Sequence, residues 1–299
     1  MRRTRQALVC WLGFAAVACC ALAAGASTAA ASVPVCSGTP EAPGVLTGTF
    51  PTNVIIEGAC VVNGGPAVVR GELTLRPGAV LLAAFALNHR TGSGPSRLTV
   101  NGNVRVQSGA TLILGCDPRS FACIDDPERE APTLSSPGRV FGNVSEQEPL
   151  GVVVHNTIIN GNVRQAGGGG GLNCEPSGIF ASFKSPVYSA YEDSTIRGTL
   201  NISGLRSCWL GIARDAVGGN VRVVDNQLAD PDAIEILANR ISGNLTCREN
   251  SMVWNSAEEK FESLFPRVPM PNTVNGKRAG DCVLSSPATE GGPPGEGPF

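Results

Sequence analysis

Arg105, Arg164 and Arg222 each stand three residues after a glycine, in the settings Gly102-Asn103-Val104-Arg105, Gly161-Asn162-Val163-Arg164 and Gly219-Asn220-Val221-Arg222. Guanidinium groups at one position of a repeat line up when the repeat stacks, and such a line suits the carboxylates or phosphates of an acidic polymer. It equally suits salt bridges between neighbouring coils. The second candidate group is aromatic: Phe180, Phe183, Tyr188 and Tyr191 fall close together, beside Lys184 and Glu192. Rings on a surface loop would stack on the CH-rich faces of sugars; the alternative is that they pack the loop onto the rest of the chain.

Carboxylates offer less. Hydrolysis of a glycosidic bond needs two carboxyl groups roughly 5–10 Å apart, one acid and one base or nucleophile. Asp125-Asp126 is the one Asp-Asp step, and beside Pro127 in a charge-rich stretch it reads as solvated loop charge. Asp215, Asp225, Asp230, Asp232 and Glu235 have oxygen ligands suited to calcium, yet no Asp-x-Asp-x-Asp-Gly loop is present and Asp230-Pro231-Asp232 equally starts a turn. Glycines 167 to 171 are followed by Leu172-Asn173-Cys174 instead of Gly-Lys-Ser, which makes them a loop tip and not a phosphate cradle. No catalytic set emerges, the chain reads more readily as a non-enzyme, and no cofactor or metal is expected.

The cysteines set the compartment. Arg2, Arg3 and Arg5, an apolar run from Ala7 to Ala24 and the small residues Ala29-Ala30-Ala31 read as a Sec-type secretory signal peptide over 1–31, which takes Cys10, Cys19 and Cys20 with it. Cys36, Cys60, Cys116, Cys123, Cys174, Cys208, Cys247 and Cys282 remain; in an exported chain this even set is expected as disulfides. The simplest scheme joins neighbours, 36 with 60, 116 with 123, 174 with 208 and 247 with 282, though spacing leaves the connectivity open. Without a Cys-x-x-Cys pair, and with His89 and His155 as the two histidines, zinc is not expected. The 23 basic residues less the three leader arginines leave 20 against 25 acidic ones, a net charge of −5 and the wrong sign for a nucleic-acid partner. No later apolar run is long enough to span a bilayer, so the mature chain is expected to be extracellular and free of the membrane.

The repeat is what must position these side chains. An apolar residue, any residue, Gly, a small or polar residue and then Val or Leu recur with glycines at 71, 102, 142, 161, 198, 219 and 243, in steps of 31, 40, 19, 37, 21 and 24 residues. This is a solenoid coil of about 19 to 24 residues with insertions or missed copies at the longer steps. Val and Ile alternate with polar residues on both sides of each glycine, the period of a strand with one buried face. Gly-Asn between two such strands reads as a corner where both residues tolerate positive φ. Stacked about 4.8 Å apart, the coils would bury their Val and Ile in one column. The expected fold is all-β, a single-stranded parallel β-helix over 53–250, right-handed by the preference of parallel crossovers. Asn103, Asn143, Asn162, Asn220 and Asn244 would share amide hydrogen bonds in a ladder along one corner. Residues 32–52, with four prolines, form an N-terminal cap, and Cys116 to Arg139 an inserted loop. Residues 251–284 form a C-terminal cap with a short helix over 257–265, after the capping box Ser256-Ala257-Glu258-Glu259, and 285–299 a disordered tail.

The leader, the Gly-Asn-Val or Gly-Asn-Leu repeat, and the ending Gly243-Asn244-Leu245-Thr246-Cys247-Arg248-Glu249-Asn250 with Pro271-Asn272-Thr273-Val274-Asn275-Gly276-Lys277-Arg278-Ala279-Gly280-Asp281-Cys282 resemble a group of secreted actinobacterial proteins of uncharacterised function. The resemblance covers about residues 45–282 and implies a right-handed parallel β-helix in which Cys247 and Cys282 belong together; it lends no activity. The expectation is a secreted solenoid of structural or binding type, acting at the cell surface or on extracellular polysaccharide. A polysaccharide lyase or glycoside hydrolase is the first alternative and an envelope assembly component the second.

Overall fold

The computed structural model describes residues 32–283 apart from 129, 231–233, 252, 256, 257, 260–267 and 270; the leader and the tail lie outside the described residues. Short apolar strands separated by corners wind into a three-sided column. One coil shows the plan: Leu73–Leu75 on the first face, Val80–Ala83 on the second and Leu98–Val100 on the third, after which Val104–Val106 comes to lie beside Leu73–Leu75. Among the described residues the first face runs from Val35–Gly38 to Arg278–Gly280, the second from Gly44–Val45 to Val253–Asn255 and the third from Gly48–Phe50 to Thr273–Val274. Pairing along the faces is parallel, so the chain forms the all-β parallel solenoid that its repeat implies. Strand alternation turns Leu73, Val104, Val144, Val163, Leu200, Val221 and Leu245 inward, each 1% exposed or less. Each such burial contributes roughly 1.5–3 kcal/mol.

The long steps are single coils carrying insertions, not missed copies. Asn143 lies on Asn103, 40 residues earlier, and the surplus chain leaves the column between Thr111–Leu114 and Gly138–Val140. Thr273-Val274-Asn275-Gly276-Lys277 adds a further copy that glycine spacing did not reveal. Insertions cover the outside of the second face, whose outward Ile113 and Val153 form a separate apolar cluster with Phe180, Val187 and the Cys116–Cys123 bridge. Among the described residues the first face has no such cover.

The repeat glycines do a different job from the one expected. None of the seven has a left-handed φ, and neither do the five ladder asparagines. Those glycines stack: Gly142 N–H donates to the Gly102 carbonyl at 3.1 Å and Gly161 N–H to that of Gly142 at 3.0 Å. A Cβ on Gly161 would sit 2.5 Å from Asn143 Oδ1 and 2.6 Å from the Gly142 carbonyl oxygen, so close approach is what excludes a side chain. Left-handed residues occupy the other two corners instead. Gly109, Glu148, Gly167, Gly204, Asp225 and Glu249 lie between the first and second faces, and Asn156, Asp193, Arg214 and Ala238 between the second and third.

Disulfides join 36 to 60, 116 to 123, 174 to 208 and 247 to 282. The helix expected over 257–265 falls mostly outside the described residues. Glu258 and Glu259 within it instead pair as a short antiparallel strand with Val268–Pro269, since an isolated turn or two of helix is marginal without a packed face. One helical turn does occur at Phe180–Phe183, inside the insertion after Val163–Ala166.

Candidate functional site: the open first face

Arg105 lies at the centre of Val104–Val106, between two inward valines, so strand alternation sends its side chain out. Register then places it in a row: Thr74 pairs with Arg105, Arg105 with Ser145, Ser145 with Arg164, Arg164 with Asn201, Asn201 with Arg222 and Arg222 with Thr246. Arginine therefore recurs on alternate coils, about 9.6 Å apart by strand spacing, with a short polar residue between. All three are exposed. Arg105 Nε donates to Glu72 Oε2 at 2.7 Å, whereas Arg164 and Arg222 make no ion pair among the described residues. Beside this row runs the asparagine corner. Asn103 Oδ1 accepts the Asn143 backbone N–H at 2.9 Å, Asn143 Oδ1 that of Asn162 at 2.8 Å, and Asn220 Oδ1 that of Asn244 at 2.8 Å. The short bonds run from side-chain carbonyl to backbone N–H, with the amide-to-amide contacts longer at 3.3–3.4 Å.

Of the two readings of the aromatic group, packing against the chain is the one the structure shows, and no exposed stacking platform forms from these four rings. Phe180 is 1% exposed, packed over Gly151 on the outside of the second face, and Tyr191 is fully buried. Tyr188 is partly buried, its ring 5.3 Å from that of Phe180 and 6.1 Å from that of Trp209, and Phe183 joins the same cluster. The reason is that Tyr188–Glu192 is a strand of the second face and not part of a loop. Alternation puts Tyr188 under the insertion and Tyr191 into the column.

Inside the column Tyr191 meets polar residues that sequence reading passed over. Its hydroxyl lies 2.7 Å from Glu146 Oε2 and 2.9 Å from Gln165 Oε1, and Gln165 Nε2 donates to Ser189 Oγ at 3.0 Å. The tyrosine has one hydrogen for two acceptors, so a protonated Glu146 donating to it completes the geometry. Burial pushes the Glu146 carboxyl up to about 8, against the lowering effect of the Tyr191 contact. A signal was available: Glu146 and Gln165 occupy the inward register position held by Val106 and Ile202.

A charged cluster lies on the outside of the second face, around the step Glu192-Asp193. Arg214 Nε donates to Asp193 at 3.0 and 3.1 Å, and its Nη2 to Glu192 Oε2 at 2.6 Å. Arg119 Nε donates to Asp117 Oδ1 at 2.9 Å. His155 Nδ1 lies 3.2 Å from Ser120 Oγ and 3.7 Å from Glu192 Oε2, under the stacked ring of Phe121. Burial drives the His155 imidazole down to about 3 and the Glu192 carboxyl well up, Arg214 partly offsetting the latter. The imidazole is then neutral, and the carboxylates of Asp117, Glu192 and Asp193 gather around the guanidinium groups of Arg119 and Arg214. A nucleophile-base-acid relay needs its serine and its carboxylate on opposite ring nitrogens, and here both meet Nδ1. Nearby turn amides are also engaged, Arg119 N–H by Asp117 Oδ1 and Ser120 and Phe121 N–H by the Asp117 carbonyl. The cluster clamps the Cys116–Cys123 loop onto the column.

The remaining acidic candidates disperse. Asp125 caps the Ala86 and Leu87 N–H groups and meets His89 Nε2, while backbone N–H groups of Leu134, Glu128 and Thr133 hold the Asp126 carboxyl below its usual range. Asp215 Oδ1 accepts the Ser194 N–H, Asp225 pairs with Arg206 and Asp230 accepts the Trp209 Nε1–H, all on different parts of the surface or core. Glu235 pairs in register with Gly211 on the second face, and Asp232 lies outside the described residues. Cys174, Cys208 and Asp230 bring three ligand-type atoms within 4.8 Å, but the two sulfurs are bonded to each other and offer no thiolate. Among the described residues no helix is long and apolar enough to cross a membrane. No protein-family profile, curated protein sequence or solved structure matches the chain.

Proposed function

We propose that this chain is an extracellular binding module, exported by its leader, whose first face holds an acidic polymer of the cell surface or its surroundings, of uronic acid or teichoic acid type. The observation that carries the reading is the outward row Arg105, Ser145, Arg164, Asn201 and Arg222, with guanidinium groups exposed on alternate coils of the first face. Parallel strands fix the spacing of these charges, so a linear polyanion meets a preorganised array and not a mobile patch. Four disulfides fit an oxidising compartment. Winding is taken as right-handed, the hand of nearly all parallel crossovers.

The two alternatives draw less support. A lyase or hydrolase wants carboxylates open to a groove, and the acidic side chains near one another here are tied to Arg119, Arg214 or backbone N–H groups. Assembly through the column ends wants strand edges open to a neighbour. At the N-terminal end the strands Val35–Gly38, Gly44–Val45 and Gly48–Phe50 are short and bordered by Pro34, Pro43 and Pro51, which have no N–H to offer.

The test is binding of the mature protein to immobilised polygalacturonate across a salt series. Replacing Arg105, Arg164 and Arg222 together by Ala should weaken binding by about tenfold or more and flatten its salt dependence, while stability moves by less than about 1 kcal/mol. Equal affinity of the parent and the triple variant would remove the arginine row from the binding surface.

A further inference from the structure

The corner between the third and first faces carries a second array. Each corner residue donates its backbone N–H to the coil before it: Arg70 to Phe50, Asn101 to Val69, Phe141 to Val100, Asn160 to Val140 and Arg197 to Ile159, at 2.8–2.9 Å. Five successive coils thus stack Arg70, Asn101, Phe141, Asn160 and Arg197 at one position, an aromatic ring with an amide on each side and a guanidinium beyond each amide. Phe141 is 44% exposed, a large apolar ring on the outside of the column. The Arg139 guanidinium lies 5.7 Å from its ring centroid, which braces one side of the ring. The side chains of Asn101, Asn160, Arg70 and Arg197 make no hydrogen bond or ion pair within the described chain, in contrast to Asn103, Asn143 and Asn162 two residues further along, which are engaged in the ladder. Polar groups in register and without internal partners are available to an external ligand.

We infer that this corner is a glycan subsite that selects acidic sugars over other polyanions, an inference that rests on the polyanion-binding reading of the adjacent face. The ring of Phe141 offers its open side to the CH-rich face of one pyranose. Asn101 and Asn160, one coil to either side, supply donors and acceptors for its hydroxyls. Arg70 and Arg197, two coils from the ring and about 19 Å from each other by strand spacing, reach carboxylates of flanking sugars. A phosphate polymer can use the guanidinium groups and the amide donors but gains nothing from the ring, so the ring is what discriminates.

The experiment measures affinities of the mature protein for polygalacturonate and for inorganic polyphosphate at equal ionic strength, with Phe141→Ala and Phe141→Trp variants whose melting curves match the parent. Phe141→Ala should weaken polygalacturonate binding by about five- to tenfold and leave polyphosphate binding within about twofold, and Phe141→Trp should restore the glycan affinity. Equal loss for both polymers, or no loss for the glycan, overturns the subsite. A parent protein that binds polyphosphate but not polygalacturonate also overturns it while leaving the basic face standing; one that binds neither overturns both.

Discussion

Glu146 is the residue at which the interior departs most from an apolar column. Its carboxyl is held up to about 8 by burial, while the unfolded chain ionises near 4.5. Between those values the folded protein keeps a proton that the unfolded chain has released, so this group's contribution to stability is full below pH 4.5, falls as pH rises toward 8 and is level above. Glu146→Gln keeps an amide donor for Tyr191 and removes the titration. Denaturant unfolding between pH 5 and 9 should therefore show the variant more stable at pH 7 by at most about 3 kcal/mol, with a flatter pH profile. Parallel profiles for the two proteins would mean that water already serves the carboxylate inside the column.

At the scale of the element, the corners divide into two kinds with opposite mutational responses. Gly161 has an ordinary φ but no room, so Gly161→Ala should cost about 1–3 kcal/mol by forcing Asn143 and the Gly142 carbonyl apart. Ala238 has room but a φ of 54°, which glycine takes without strain. Ala238→Gly should therefore raise stability by roughly 0.5–1 kcal/mol, the relief of the left-handed strain less the added chain entropy of glycine. Paired urea denaturation curves read both, and a stabilising Gly161→Ala would contradict the close-approach account of the stack.

Over the whole molecule the four disulfides fall into two pairs with different tasks. Cys36–Cys60 and Cys247–Cys282 lie in the column core at its opposite ends, while Cys116–Cys123 and Cys174–Cys208 tie insertions against the second face. A solenoid coil is held by its neighbours, and a terminal coil has one instead of two. Replacing Cys247 and Cys282 by Ser should accordingly lower stability by about 2–4 kcal/mol, with amide exchange rising first in Leu245–Arg248 and Arg278–Gly280. Exchange that rises uniformly along the column would instead indicate one cooperative unit without local fraying. Among the described residues the insertions cover the second face and leave the first face and the adjoining corner open, where both proposed binding arrays lie.

Local pattern by itself determined the coil. Alternating Val and Ile around a recurring glycine fixed strands, the stacking direction and the inward column, and the outward position of Arg105, Arg164 and Arg222 followed from the same period of two. Neighbour-to-neighbour pairing of the cysteines was the simplest scheme, but spacing left the connectivity open and the structure decided it. What only the tertiary structure decided is whatever depends on which coil lies above which. The glycines are required by a carbonyl from the preceding coil, a contact invisible in a single copy. Tyr191 reads as a loop aromatic until the insertion before it is seen to end at Tyr188–Glu192, after which a shift of one residue separates the core from the surface. Arg70, Asn101, Phe141, Asn160 and Arg197 are 31, 40, 19 and 37 residues apart, and only stacked coils, with their insertions looped out, place them in one line.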